Sequence, residues 1–395
     1  MPSMFSNLGD FSMKKSLLAI AVAAALPVVA QAQVTLYGKM DLGVGSIDRG
    51  GTAKSIMTVD TAIAQTSRLG IRGTEKMTGG LNAIFQIEGG VTADTGAAIT
   101  FNRESWVGLN GGFGDIRLGR TLTPSFHADA LGDMMGYSYF GGQGNWSSGG
   151  SGACAIQGSP TTGAPSSAGT VGCGSTTPGA YSTRFSNGIN WTSPSMSGLV
   201  VRAAYAFSER DGTTATTATT TPNSVDQAFD IAALYSAGPL GVALGYQDQK
   251  LKLGDNNAGS RKVTTLAGSY QIGSITLKGG WATSEQGTGS TTLELSKVNL
   301  GAGMKVGAGM LMLTYSMYEA DAGAGETAVK REANVLGLAY NHPLSKNTSL
   351  YATYGRTDNK NAVSGYGLWA GGVSYSQQAN GVDSSGLGFG VIHNF

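Results

Sequence analysis

From Val34 onward the chain alternates. VTLYGKMDLGV sets Val34, Leu36, Met40, Leu42 and Val44 on one face and Thr35, Tyr37, Lys39 and Asp41 on the other, the period-two signature of a half-buried strand. LNAIFQIE repeats it, with Leu81, Ala83, Phe85 and Ile87 against Asn82, Gln86 and Glu88. Segments of similar length follow down to the terminal LGFGVIHNF, and no helical period of any length interrupts them. About ten residues per segment is the length a tilted strand needs to cross a bilayer.

The connections come in two kinds that alternate. Gly79-Gly80, Gly111 to Gly114, Ser193 to Ser197, Gly238-Pro239, Gly273-Ser274, Gly307 to Gly309 and His342 to Leu344 are tight-turn chemistry. Between them lie longer polar runs such as DGTTATTATTTPNS and DAGAGETAVKRE. This pattern predicts an all-β transmembrane antiparallel barrel of about sixteen strands, with short turns on the periplasmic side and long loops outside. In hydrocarbon no backbone group can stay unpaired, so a spanning sheet must close on itself. Phe395 is then the end of a last strand that pairs with the first. Trp191, Tyr205, Tyr235, Tyr340 and Tyr351 fall near predicted strand ends, where aromatic girdles belong, or serve there simply as good strand formers.

Composition agrees with a wet bore inside a greasy wall. Glycine supplies 62 of 395 residues, charged residues 13%, and mean hydropathy is −0.03. From Met13, MKKSLLAIAVAAALPVVAQAQ has the basic start, short apolar run and Ala30-Gln31-Ala32 site of a secretory signal peptide, read as starting at Met13 and cleaved after Ala32. Residues 1–32 are thus an extension and leader, and 33–395 the barrel. Losing Lys14, Lys15 and Asp10 leaves 24 charges of each sign, so no basic footprint for nucleic acid exists. Cys154 and Cys173 share one Gly/Ser/Thr-rich stretch. In an exported chain a disulfide closing that stretch is expected, and neither histidine nor CxxC spacing supports a metal. No cofactor is expected.

The chain also resembles the general porins of Gram-negative outer membranes. The resemblance is carried, in order, by LYGKMDLG, SRLGIRGTE, LNAIFQIE, NRESWVGLNGGFGDIRLGR, DALGDMMG, YFGG, NGINWTSPSMSG and GFGVIHNF. It implies a homotrimer of sixteen-stranded barrels in outer-membrane lipid and lipopolysaccharide, each an aqueous pore for small hydrophilic solutes and ions narrowed by an inward third loop. It further implies that the last strand, ending in Phe395, is the signal read by the barrel-assembly machinery.

The stretch from Leu122 to Ala180 is the expected inward loop, and carries Asp129 and Asp133. By the resemblance these acids face basic residues on the wall: Lys39, Arg68, Arg72, Arg103 and Arg184, with Arg117 and Arg120 as further candidates. An arginine facing lipid in mid-membrane costs roughly 2 to 4 kcal/mol, so those at depth point into water. Many relatives carry an acid just before the Phe-Gly-Gly, and here Tyr139 stands in that place. Basic residues outnumber acidic ones and a modest anion preference follows. If Arg103 faces the lumen, strict alternation turns Glu104 and Trp106 outward, under a subunit interface or near the headgroups. Rival readings are a substrate-selective channel, with Tyr137, Tyr139 and Phe140 as an aromatic slide, a barrel enzyme using His127, and a secreted adhesin. His127 has no recognisable catalytic partner in the sequence, and no internal repeat supports the last.

Overall fold

The computed structural model describes residues 33–51, 54–146, 155–156, 171–172, 181–207, 224–253, 256–288, 291–322, 331–360, 368–370, 373–375 and 382–395. The expected cleavage site, Cys154 and Cys173 lie outside them. The alternating segments become β1 (Gln33–Asp48), β2 (Ile56–Thr61), β3 (Arg68–Lys76), β4 (Asn82–Gly90), β5 (Thr100–Gly111) and β6 (Gly114–Leu122). Helix α1 (Pro124–Leu131) follows, then β7 (Arg184–Thr192), β8 (Leu199–Ala206), β9 (Ser224–Ala237), β10 (Leu240–Leu253) and β11 (Asn256–Ile272). The chain finishes with β12 (Ile275–Thr288), β13 (Thr291–Val306), β14 (Gly309–Ala322), β15 (Arg331–Pro343), β16 (Thr348–Lys360) and β17 (Ser384–Asn394).

Successive strands pair antiparallel, and β17 closes onto β1 from Lys39 opposite Asn394 to Asp48 opposite Ser385. The last residue is stitched in as well. Phe395 N donates to Gly38 O at 3.1 Å, and Gly38 N donates to Phe395 O at 2.9 Å. These seventeen segments occupy sixteen positions around the barrel, because β2 and β3 share one: β1 pairs with β2 over Leu42–Ile47 and with β3 over Gln33–Lys39.

Between β2 and β3 the chain leaves the wall and folds inward, burying Ile63 and Ala64. Asp41 organises that kink. Its Oδ2 accepts from the backbone N–H groups of Ala64, at 2.8 Å, and Gln65, and its Oδ1 accepts from the Tyr351 hydroxyl at 2.7 Å. Tyr351 is therefore an inward strut rather than a girdle residue.

The short turns form where expected. At Gly238, Gly273 and Gly307 the backbone takes φ of 54°, 58° and 59°, the left-handed conformation that glycine adopts without penalty. Outside, Val34, Leu36, Leu244, Leu300 and Phe389 stand exposed, the surface a lipid-facing wall requires. The buried side chains lie inside the barrel instead. They join the wall to the segment after β6, with Trp146, Tyr181, Val263 and Tyr318 in one cluster and Ile63, Met135, Phe140 and Tyr351 in another.

Candidate pore constriction

After β6 the chain turns into the lumen. Thr123 caps α1, accepting the Phe126 N–H on its hydroxyl, and Pro124 fills the first turn, where its missing N–H costs nothing. Asp230 on β9 then receives the helix start, accepting from Ser125 N at 3.0 Å and Ser125 Oγ at 2.7 Å. Beyond α1 the loop runs along the inner wall of β11 to β16. Lys278 Nζ donates to Asp133 O at 2.8 Å, Asn299 Nδ2 to Gly132 O at 2.8 Å, and Thr314 Oγ1 to Gly141 O at 3.1 Å.

Loop backbone can lie this close because the wall beneath it is made of glycine. A Cβ at Gly355 would sit 2.5 Å from the Phe140 carbonyl carbon and 2.6 Å from Gly141 N. At Gly301 and Gly303 it would strike Met134, in each case at 2.6 Å, and at Gly337 it would meet Met135 Sδ at 2.9 Å. The loop's own Gly141 has φ of 83°, and a Cβ there would fall 2.4 Å from Gly337 Cα. Sequence reasoning missed this track. Its signal was present as glycine at inward positions of strands, which marks close approach of another backbone.

The loop carboxylates are spent on docking. Asp129 is 1% exposed; its Oδ1 lies 2.6 Å from Lys297 Nζ, and its Oδ2 accepts from Tyr137 OH at 2.5 Å and Tyr181 OH at 3.3 Å. Asp133 is 3% exposed and caps the loop backbone, accepting from Met135 N at 3.0 Å and from Tyr137 N. Burial pushes its carboxyl above the usual range, against the pull of those two N–H groups. The expectation that Asp129 and Asp133 face the basic wall is thus corrected. An acid on a loop pressed flat against the opposite wall finds its partner there, on Lys297. Tyr139 and Phe140 are buried in the same seam, Tyr139 OH accepting from Asn341 Nδ2 at 3.1 Å, so neither forms a lumenal slide.

The facing wall, β1 to β7, carries the predicted basic residues. Arg103 Nε lies 2.7 Å from Glu88 Oε1, Arg68 Nη1 lies 4.0 Å from the same oxygen, and Tyr37 OH donates to Glu88 Oε2 at 2.9 Å. Lys39 Nζ donates to Gln65 Oε1 on the inward kink. The Arg72 guanidinium lies over the Tyr37 ring, 5.1 Å from its centroid. Arg184 has Arg103 and Glu104 as its leading electrostatic neighbours. Lys39, Arg68, Arg103 and Arg184 therefore gather around Glu88 and Glu104, with Arg72 on the Tyr37 side. Both carboxylates are 6% exposed. Five basic groups meet two tied acids.

Glu104 is the second correction. It points inward with Trp106, accepting from Trp106 Nε1 at 2.8 Å and Leu122 N at 3.3 Å, and so says nothing about a subunit interface. Strict alternation failed because the β4–β5 register breaks between Glu88 and Gly90. The bulge lets the neighbours Arg103 and Glu104 both turn into the bore. His127 sits on α1 with Arg202 and Arg117 as electrostatic neighbours, and burial together with these cations holds its imidazole down at about 3. Among the described residues no group of three metal-ligating side chains occurs.

A family model described as Gram-negative porin matches residues 18–362. The chain belongs to the Gram-negative porin family. It is 33% identical to outer membrane porin protein 32 of Delftia acidovorans over 97% of this chain and all of that one. A 112-residue stretch is 42% identical to major outer membrane protein P.IB of Neisseria meningitidis, covering 27% of this chain and 34% of that protein. Among solved structures, an anion-selective porin from Comamonas acidovorans superposes with a TM-score of 0.72 at 30% identity, covering 92% of this chain and all of that one. The trimer form of OmpT from Vibrio cholerae gives 0.64 at 14% identity, over 92% and 99%, a likeness of fold alone. The porin is accordingly an outer-membrane channel for passive diffusion, formed by one closed barrel.

Proposed function

We propose that this porin favours anions, and that Lys39, Arg68, Arg72, Arg103 and Arg184 form the basic side of its constriction. The observation that carries this reading is the fate of the acids: Asp129 and Asp133 are consumed behind the loop, while Glu88 and Glu104 are nearly buried among arginines. A narrow, low-dielectric passage with excess positive charge raises local anion concentration and repels cations. The anion-selective porin with the same fold at 30% identity supports it. Planar-bilayer recording across a potassium chloride gradient tests it. A reversal potential of anionic sign is expected, and a cationic one overturns the reading.

The family further supports a homotrimer in lipid and lipopolysaccharide, and an assembly signal at Phe395 read by the barrel-assembly machinery. Small hydrophilic solutes and ions pass without reaction. For catalysis His127 would need a partner nucleophile or activated water, and its polar surroundings are the two arginines named above. Deleting Phe395 removes its paired bonds to Gly38 and is expected to lower the yield of assembled barrel, read as heat-modifiable mobility on gels.

A further inference from the structure

On the turn side of the constriction a second basic group remains, outside the rim just described. Arg117 enters the lumen three residues after the turn glycine Gly114, and Arg202 three residues after Leu199. Arg117 is fixed from two directions: its Nη2 donates to Asp115 Oδ2 at 2.9 Å, and its guanidinium lies over the Trp106 ring, 4.4 Å from the centroid. Arg202 is fixed by Nη1 donating to Thr192 Oγ1 at 3.1 Å. The two strands reach each other through β7, where Asp115 and Arg202 both stand opposite Thr192.

The charges here do not balance. Two guanidinium groups that act on one another share a single carboxylate, Asp115, and that carboxylate also accepts from Asn110 Nδ2. The Nε atoms of Arg117 and Arg202 are buried without a hydrogen-bond partner among the described residues. His127 is their electrostatic neighbour, and with its imidazole held down at about 3 it supplies no negative charge to balance them. Two like charges held together over one carboxylate are unfavourable until an anion joins them, and the Arg117 side chain keeps 28% of its surface open to meet one. Guanidinium groups pair best with oxyanions, which take two parallel N–H bonds.

We infer that Arg117 and Arg202, braced by Trp106, Asp115 and Thr192, form a second, weaker oxyanion station on the turn side of α1, for carboxylates or phosphate leaving the rim. It deepens the anion-favouring reading and rests on it. Leu122, opposite Arg184, lies five residues along β6 from Arg117, a backbone rise of about 16 Å, and Trp106 beneath Arg117 links the two stations by donating to the rim acid Glu104. Successive weak sites suit conduction, since each must hold a solute loosely enough to release it to the next.

The test uses the full barrel in planar bilayers, carrying chloride current, with inorganic phosphate added from one side at a time. Block by phosphate from the turn side is expected to weaken about tenfold in Arg117→Gln/Arg202→Gln, the loss of one or two charge-assisted bonds. Block from the loop side is expected to change little. Heat-modifiable gel mobility checks that the variant is assembled, and the single variant Arg202→Gln, which leaves the Arg117–Asp115 pair intact, repeats the measurement if the double one does not assemble. Unchanged turn-side block, equal loss from both sides, or loss only with Arg68→Gln/Arg103→Gln would overturn the second station. A cationic reversal potential in the unmodified porin would instead overturn the reading beneath it, so the two failures are distinct.

Discussion

The two halves of the bore obey one rule and come out opposite. From β1 to β8 the inward positions hold long basic chains, Lys39, Arg68, Arg103, Arg184 and Arg202, each partly buried along the bore. From β10 to β17 many hold glycine, with loop backbone lying directly on Gly245, Gly337 and Gly355 and the Met134 side chain on Gly301. Alternation sorts residues into inward and outward on both sides. What differs is whether the inward residue reaches for solute or leaves room for chain. A constriction needs both kinds of wall, one to receive the loop and one to face it.

Filling the receiving wall is the strongest way to break this contrast. Gly141→Val combines left-handed strain of about 1–2 kcal/mol with a backbone clash at Gly337 that no side chain can relieve. The expected outcome is an assembled barrel whose loop has left its seat, seen as larger and noisier single-channel steps. Lys297→Met comes next. It strands the Asp129 carboxylate, 1% exposed, and losing one partner of a buried pair costs about 3–5 kcal/mol. Protease nicking of the loop is expected to rise, and adding Asp129→Asn to recover much of the loss.

On the facing wall the effect is on selectivity rather than on seating. Arg68→Gln/Arg103→Gln releases Glu88 from its cations and is expected to carry the chloride-to-potassium permeability ratio down toward one, with the loop in place. The smallest effect belongs to acid. His127 titrates at about 3 in the folded loop and near 6.5 unfolded. Above 6.5 both states are neutral and nothing is lost. As pH falls from 6.5 toward 3 only the unfolded loop gains the proton, so the seat weakens. A slight rise in gating noise over that range is expected, flattened in His127→Gln. The loop is also seated by its bonds to Lys278, Asn299 and Thr314, which keeps the effect of this one group small.

How far the sequence was legible follows the range of each interaction. The LYGK and RLGIRG segments announced their lumenal cations because facing is settled by the next residue along. All seven short turns were marked by their own glycine, proline or serine. Arg103 and Glu104 could not both be placed, since a register break between β4 and β5 depends on how two strands meet. Asp129 was read as a pore acid because its partner Lys297 lies 168 residues away. The inward kink after β2 gave no signal beyond Asp41 itself, a carboxylate at a lumenal position whose ligands are backbone N–H groups of a distant turn.

By itself the sequence determined a closed barrel with a greasy exterior, a wet bore and basic residues within it. Those properties follow from period-two alternation and from the impossibility of unpaired backbone in hydrocarbon, which are local or general. Tertiary structure alone decided which charges remain free to meet a solute. That outcome depends on the path of one loop over a wall of glycines, and pairing across the bore is fixed by where that backbone comes to rest.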